Sequence, residues 1–494
     1  MDYLYPSHGG GDQRDMNLTS LEFVLFFLAV MPLNWCLRPF KTPYKLFLLL
    51  ASYFFYASFN FKFILILAVF SFLTWFFAII FTESRDRLFR TFCMVLYLSF
   101  SLGILAFFKY YEMLYLSIDR ALAAFGAANP VPLMDVLMPI GISFFTFQGL
   151  SYAIDVYRDD RKVVRNPLDI FVFIAFFPTI LSGPILRAGQ FLPQLRRERA
   201  PALDFNKAFY LLTRGLLKKI VISSYLSEHI VRLVFAAPES FSSAATLVGV
   251  LAYSIQIYCD FSGYTDLARG VGMLLGFAIP ENFDDPYSAQ SLRDFWRRWH
   301  ITFSTWLRDY LYIPLGGNRK GTFRKYLNLM LTMAIGGLWH GAAYNFLIWG
   351  VIHGLGLVVY HLTHDPVPGA PKRTNAEAAP FFSATRAFAA WAATFCYVTL
   401  AWIFFGAEDA GKAMGIIKRM LAFDSEGSGY PELAVILIIL VMLVQVFHLG
   451  GKTLYDRFIA RLPAPVQGIA LGVLCVLILK LGPEGVLPFI YFQF

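Results

Sequence analysis

Two histidines, His300 and His340, each follow a tryptophan within apolar, aromatic sequence. Imidazole titrates near neutral pH, so keeping it in hydrocarbon is costly unless a partner, a wet cavity or a reaction needs it. No Ser or Cys motif of the GxSxG or Cys/His type accompanies them, which argues against a covalent nucleophile. A neutral imidazole can instead act as general base on an incoming hydroxyl. His340 fits that role best, because its glycine neighbours permit close approach of a substrate.

The same segments carry candidate substrate contacts. These are Arg297, Arg298, Trp299, Arg308, Asp309, Trp339 and Asn345. The arginines near His300 are expected to form a cationic rim that holds the phosphates of an anionic donor, while His300 orients or polarises the reacting group. Two plainer interpretations stay open: the charges pair with one another along a solvated helix, and each histidine makes an interhelical hydrogen bond. The histidines are about forty residues apart without an HExxH motif, so no metal site is expected.

Composition indicates the setting in which these residues work. The chain has 494 residues, of which 57% are hydrophobic and 15% charged, and this favours a polytopic membrane protein over a soluble one. Apolar runs of roughly 20 residues recur along it and predict an all-α protein with about a dozen transmembrane or re-entrant helices. The net charge of +9 is spread over short connecting segments, as the positive-inside rule and anionic lipid would explain. Nucleic-acid binding is therefore not expected.

The chain divides into a polar N-terminal extension, residues 1–18, and a single membrane domain, residues 19–494. Within that domain, 170–186 is predicted as a span that Pro178, Gly183 and Pro184 kink or make re-entrant. From 260 to 325 hydropathy weakens, which favours interfacial or cavity-lining helices. The segment 361–375 is the clearest loop. The predicted result is a helical bundle with a hollow centre.

Other polar residues fall inside apolar runs. They include Lys109, Asp155, Asp260 and Asp266. Such residues are site candidates by default. Salt bridges, such as one from Lys109 to a carboxylate, explain them equally well, and this structural interpretation is preferred. A transporter or flippase would use the same residues for passage. Because they form no regularly spaced relay, an enzyme is the favoured interpretation.

Five segments together carry a family resemblance. They are MPIGISFFTFQGLSYAIDVYR at 138–158, FFPTILSGPILR at 176–187, IQIYCDFSGYTDLARG at 255–270, FWRRWHITFSTWLRDYLYIPLGGNRKG at 295–321 and GGLWHGAAYNFLIWGVIHG at 336–354. In this order they resemble the signatures of the membrane-bound O-acyltransferase family. The YIPLGGNRKG piece resembles its bacterial exopolysaccharide branch most, more than the D-alanyl transferases of teichoic acid.

The resemblance implies that His340 matches the catalytic histidine and His300 a second, supporting one. It also implies a funnel or tunnel that joins an inner donor site to an outer acceptor site. The expected enzyme lies in the bacterial inner membrane and takes an acetyl group from a cytoplasmic thioester, acetyl-CoA, with no bound cofactor. The acceptor is an exopolysaccharide such as alginate or cellulose, or the serine of a periplasmic SGNH-hydrolase-like partner. D-alanyl transfer to a cell-wall polymer is the alternative.

Overall fold

A 32-residue helix, Ser243–Leu274, runs through the centre of the protein. In its most apolar window 78% of the residues are buried, against 28% for the long helix Arg87–Ala124. The central helix carries glycines, serines and carboxylates, which the surrounding helices cover, whereas the outer helix exposes Phe and Leu. An apolar outer surface around a more polar centre suits a bundle that lies in lipid.

The computed structural model describes residues 16–134, 136–197, 202–364, 380–449 and 461–481. The α-helices are α1 Leu21–Leu37, α2 Lys41–Ala57, α3 Phe61–Glu83, α4 Arg87–Ala124, α5 Ile142–Arg158, α6 Pro167–Ala175, α7 Phe177–Ile180, α8 Ala188–Leu195, α9 Phe205–Leu216, α10 Ser224–Leu226, α11 Arg232–Ala236, α12 Ser243–Leu274, α13 Leu292–Arg298, α14 Ile301–Leu307, α15 Thr322–His340, α16 Tyr344–His364, α17 Pro380–Gly406, α18 Ala410–Met420, α19 Glu432–Val446 and α20 Ala464–Leu481. Three π-helical stretches occupy Leu217–Ser223, Ser227–Val231 and Arg308–Tyr312. Residues 1–15 of the predicted extension and 365–375 of the predicted loop lie outside the described residues.

The prediction of an all-α membrane protein is confirmed for the part of the chain that the structure describes. Five helices there are long and apolar enough to cross a membrane: α3, α4, α12, α16 and, within α17, Ala384–Gly406. Shorter apolar helices are α1, α19 and Pro465–Ile478 within α20. The boundary between residues 18 and 19 stays a prediction, although Met16 and Leu18 are already buried.

Two predicted segments need a closer description. Residues 170–186 are interrupted, as Pro178, Gly183 and Pro184 predict: α6 ends at Ala175, a short α7 follows, and the chain is non-helical around Gly183. Proline and glycine interrupt the helical hydrogen bonding there, and the buried backbone is covered by neighbouring helices. Residues 260–274, expected to lie partly in the interface or to line a cavity, continue α12 through the bundle, and Ser262, Thr265 and Asp266 among them line a cavity. Their carboxylates lower the hydropathy but are paired inside the protein.

Helices α15 and α16 form an antiparallel hairpin whose axes approach closely. A Cβ atom added at Gly337 would lie 3.0 Å from the Cα of Gly350 and closer still to the carbonyl oxygen of Phe346. Small residues are what lets two helix backbones approach so closely in a membrane. The hairpin therefore fixes the end of α15, where His340 lies.

We expect Gly337→Ala to destabilise the protein by about 1–3 kcal/mol, because the new methyl group meets backbone atoms that cannot rotate away. The matched control is Gly103→Ala in α4, where an added Cβ has no neighbour within 4 Å among the described residues. Thermal unfolding of both variants in detergent measures the difference. Equal melting temperatures for the two variants would contradict the close approach of α15 and α16.

Candidate active site

His340 is the last residue of α15 and is 4% exposed. The chain leaves the helix through Gly341, where any Cβ would overlap the ring of Phe346. The imidazole lies among aromatic rings, with centroids at 4.9 Å for Trp339, 5.1 Å for Trp349 and 5.1 Å for Phe405. Gly341, one of the glycines beside His340 in the sequence, therefore lets the turn after the histidine pack against Phe346. His340 is held in a buried pocket of aromatic rings.

Two side chains from α4 hold the end of α15. The Lys109 Nζ donates a hydrogen bond to the carbonyl oxygen of Trp339, and the Tyr110 hydroxyl donates to that of Leu338. The last four carbonyl groups of a helix lack partners within it, and their partial negative charge favours a cation. Lys109 and Tyr110 therefore satisfy the carbonyls directly before His340. The predicted salt bridge from Lys109 to a carboxylate is not what the structure shows.

His300 lies in the turn between α13 and α14. Its backbone has φ 42° and ψ 56°, a left-handed conformation that is uncommon for a residue with a Cβ. The ring is 1% exposed, and its Nδ1 lies 3.1 Å from the Oδ1 of Asn282, which is itself fully buried. Strained backbone persists where the surroundings fix it, often at functional sites.

The two histidines, about forty residues apart in sequence, meet across one phenylalanine. The ring of Phe303 lies 5.0 Å from His300 and 5.5 Å from His340, measured between centroids. The same ring stacks on Trp339 at 4.4 Å. The structure therefore brings the two predicted catalytic residues into one aromatic layer, in which both histidines contact Phe303.

A cavity of about 650 Å³, here called the basic cavity, opens beside His300. Its charged lining residues are Arg161, Lys162, Arg187, Arg196 and Arg308, with Asp155, Asp309 and Glu281. Ile301 and Thr302, which directly follow His300, also line it. The basic groups outnumber the acidic ones, so the cavity attracts an anion.

The charges of the basic cavity hold one another in place. Asp309 accepts hydrogen bonds from Arg187 at 3.2 Å and from Arg308 at 2.8 Å. At the nearby turn Arg161 donates to Asp159 at 2.9 Å, and this hydrogen bond lowers the pKa of that carboxyl group. The guanidinium groups are thus oriented before any ligand arrives.

A second cavity, of about 1120 Å³, lies beyond His340. It is lined by Lys109, Glu112, Arg120, Asn345, Glu408 and Asp409, among others. Arg90, near the start of α4, pairs with Asp160 beside the basic cavity. At roughly 1.5 Å per residue, Lys109 on the same helix lies about 28 Å further along. The two cavities therefore flank the histidine layer from opposite ends of the bundle.

Of the other predicted substrate contacts, some line one of the two cavities and some do not. Arg308 and Asp309 line the basic cavity, and Asn345 lines the second cavity. Arg297 is exposed and Arg298 pairs with Asp294 at 3.1 Å, and neither lines the basic cavity. Two of the three arginines of the expected rim therefore lie outside the basic cavity, and their part in binding a donor stays a prediction. The pairing of Arg298 with Asp294 follows the plainer interpretation of the sequence.

The two predicted tryptophans have different surroundings. Trp339 lies in the histidine layer, with its ring 6.4 Å from His300. Trp299 is 1% exposed and packs on Phe295 at 5.6 Å and Trp402 at 4.9 Å, as a core residue does. Substrate binding by Trp299 stays a prediction that this packing does not favour.

Two residues of the site were missed in the sequence. Nothing there singled out Asn282 or Phe303, since Asn282 lies in a loop and Phe303 is one of many phenylalanines in apolar sequence.

Two of the intramembrane carboxylates form ion pairs, as the structural interpretation of the sequence had it, although their partners are cations of the preceding helical segment. Asp260 pairs with Lys219 at 2.6 Å, and Asp266 pairs with Arg214 and Lys218. Both carboxylates lie outside the histidine layer.

Comparison with known proteins identifies the family to which this chain belongs. The sequence model of the MBOAT, membrane-bound O-acyltransferase, family matches residues 51–399. The chain belongs to the membrane-bound O-acyltransferase family. It is accordingly an O-acyltransferase, and the matched range includes both histidines, Asn282 and Lys109.

Relatives of this acyltransferase are similar over nearly its whole length. A probable alginate O-acetylase of Pseudomonas putida is 35% identical, over 91% of this chain and 94% of that protein. A probable alginate O-acetylase of Azotobacter vinelandii is 33% identical, over 97% and 100%. A peptidoglycan O-acetyltransferase of Helicobacter pylori is 32% identical, over 81% and 79%. The resemblance seen in the sequence to the alginate O-acetyltransferase type is thereby confirmed.

Proposed function

We propose that this acyltransferase moves an acetyl group from acetyl-CoA, bound at the basic cavity, to a hydroxyl presented at the second cavity. The observation that carries the proposal is the pair of cavities on opposite flanks of the His300–His340 layer. A cluster of arginine and lysine residues suits the phosphates of a coenzyme A thioester. The donor would enter from the cytoplasm and the acceptor from the outer side of a bacterial inner membrane.

The reaction needs a base and correct positioning more than a driving force. His340 takes the proton of the acceptor hydroxyl as that oxygen forms a bond to the acyl carbonyl carbon. The carbon–sulfur bond then breaks, and the thiolate receives the proton from His340 to leave as a thiol. Both substrates are held against the layer that contains the two histidines. The reaction is then effectively unimolecular, and its entropic barrier is lower than for an encounter in solution.

The acceptor belongs to an exopolysaccharide pathway of the kind that the acetylating relatives indicate. The nearly full-length similarity to alginate O-acetylases supports an acetyl group and a polysaccharide such as alginate. The hydroxyl at His340 is that of the sugar itself or of a serine on a periplasmic SGNH-hydrolase-like partner, which then completes the transfer. Surrounding lipid is the only other partner required by a protein with this apolar surface.

Turnover of acetyl-CoA by the purified protein tests the proposal. Variants of two arginines, one that lines the basic cavity and one that does not, test whether the donor binds there. We expect Arg308→Ala to raise the KM for acetyl-CoA about tenfold, since a charge-assisted hydrogen bond contributes roughly 1.5–3 kcal/mol. The kcat should change little, because Arg308 is remote from the reacting atoms. Arg297→Ala is the matched control, an exposed arginine near His300 that does not line the basic cavity.

Three outcomes would contradict the proposal. Equal KM values for the two variants would place the donor elsewhere. Absence of acetyl-CoA turnover together with transfer from a D-alanyl-charged carrier protein would assign the enzyme to the cell-wall branch. Substrate flux across vesicles without thioester cleavage would indicate a transporter.

A further inference from the structure

The side-chain oxygen of Asn282 accepts hydrogen bonds from Thr302 on the turn after His300. The backbone N–H of Thr302 donates to Asn282 Oδ1 at 3.1 Å, and the Thr302 hydroxyl donates to the same atom at 2.9 Å. A backbone N–H group can only donate, so the amide atom that it faces must be the oxygen and not the nitrogen. The orientation of the Asn282 amide is therefore fixed by its surroundings.

This orientation decides where the proton of His300 lies. Its Nδ1 is 3.1 Å from the same Asn282 Oδ1, an atom that only accepts, so Nδ1 must carry the hydrogen. In a neutral imidazole the other nitrogen, Nε2, then has a free lone pair. Within the described ranges, Nε2 is buried and has no hydrogen-bond partner. A second proton there would leave a buried N–H unsatisfied, which is costly.

The surrounding contacts keep this arrangement from relaxing. The backbone N–H of Ile301 donates to the backbone oxygen of Asn282 at 3.0 Å, so Asn282 holds the turn by its main chain as well. The ring of His300 packs edge-on against Phe261 at 4.7 Å and beside Phe303. Rotating the ring to exchange its nitrogens would break the hydrogen bond to Asn282 and disturb both contacts.

We propose that Asn282 is a positioning residue that holds His300 as the Nδ1–H tautomer, so that Nε2 accepts a hydrogen bond from an N–H or O–H group of the thioester donor. The proposal rests on the proposed function for the identity of that donor. It excludes one role considered from the sequence: an unprotonated Nε2 cannot donate to the thioester carbonyl, so His300 does not polarise it. The active site then has two histidines in contact with Phe303, of which His340 takes the proton and His300 accepts a hydrogen bond.

Nitrogen-15 NMR of histidine-labelled protein tests the tautomer directly, with the His300 signal assigned by its loss in His300→Phe. We expect the Nδ1–H pattern in the wild type and in Asn282→Asp, which keeps an accepting oxygen. In Asn282→Leu the acceptor is gone, and the Nδ1–H preference should be lost. Thr302→Val is the matched control, since it removes the hydroxyl donor and leaves the His300 contact. A wild-type signal from the Nε2–H tautomer would overturn the proposal.

Kinetics separate positioning from a merely structural role. We expect kcat to fall about 100-fold in Asn282→Leu, within the usual contribution of a positioned acid or base. Asn282→Asp should retain activity with the acid limb of its rate profile moved to higher pH, because a carboxylate stabilises the imidazolium. An unchanged profile in Asn282→Asp would overturn the proposal. An Nδ1–H signal that Asn282→Leu removes, in a protein inactive on acetyl-CoA, would uphold the positioning and reject the proposed donor.

Discussion

Replacing His340 with glutamine should lower kcat for acetyl transfer by about 10²- to 10⁴-fold, the range that a positioned general base contributes. Glutamine has a similar length and hydrogen-bonding groups but does not take up a proton. It also has a good helix propensity, so α15 should form as before. The measurement is release of coenzyme A thiol in detergent at saturating acetyl-CoA, together with a thermal unfolding curve.

His353→Gln is the matched control for this experiment. His353 is fully buried on α16 and accepts a hydrogen bond from the Trp296 indole at 3.3 Å, so it is an equally enclosed histidine. Trp349 separates its ring from that of His340. A folded His340→Gln protein with more than about a tenth of wild-type turnover would reject the assignment of the base. An equal loss in His353→Gln would show that glutamine in this core is damaging by itself.

Lys109→Met should reduce kcat about 10- to 100-fold and leave the KM for acetyl-CoA unchanged. The substitution removes the donor to the Trp339 carbonyl, and a buried acceptor left without a partner costs about 1–3 kcal/mol. The end of α15 then shifts to find another partner, and a small displacement of a base is enough to slow a reaction strongly. Initial rates at several acetyl-CoA concentrations separate the two constants.

Two further substitutions show whether the lower kcat comes from the lost hydrogen bond at the end of α15. Lys109→Arg keeps a cation and several donors at the helix end, so it should recover much of the kcat. Tyr110→Phe removes only the hydrogen bond to the Leu338 carbonyl, one residue further from His340, and should have a smaller effect in the same direction. If Lys109→Met raised KM and left kcat unchanged, Lys109 would bind substrate at the second cavity and would not hold the helix.

The sequence singled out the two histidines that the fold brings together because each is a costly group in apolar surroundings, and that cost is visible locally. It missed Asn282 because an asparagine in a loop is ordinary until the fold brings His300 to it. The position of two of the arginines outside the basic cavity has a geometric cause. Arg297 and Arg298 belong to α13, and the left-handed turn at His300 redirects the chain before Arg308.

Hydropathy predicted the helices that face lipid better than the one that protein covers. Apolar runs long enough for a span lie within α3 and α4, because lipid-facing helices have uniform composition. Hydropathy did not reveal that 260–274 continue a long helix, since a helix surrounded by protein can carry carboxylates when cations such as Lys219 and Arg214 pair with them. Hydropathy measures contact with lipid, and it says little about helices that other helices cover.

The aromatic layer around Phe303 has a consequence for the cell as well as for the reaction. The ring of Phe303 stacks on Trp339 and contacts both histidines, so apolar side chains lie between the two cavities. A continuous column of water there would let protons run down the electrochemical gradient across an energised membrane. On the proposed function, these rings would insulate the membrane at the point where the acetyl group crosses, and the membrane potential would be kept.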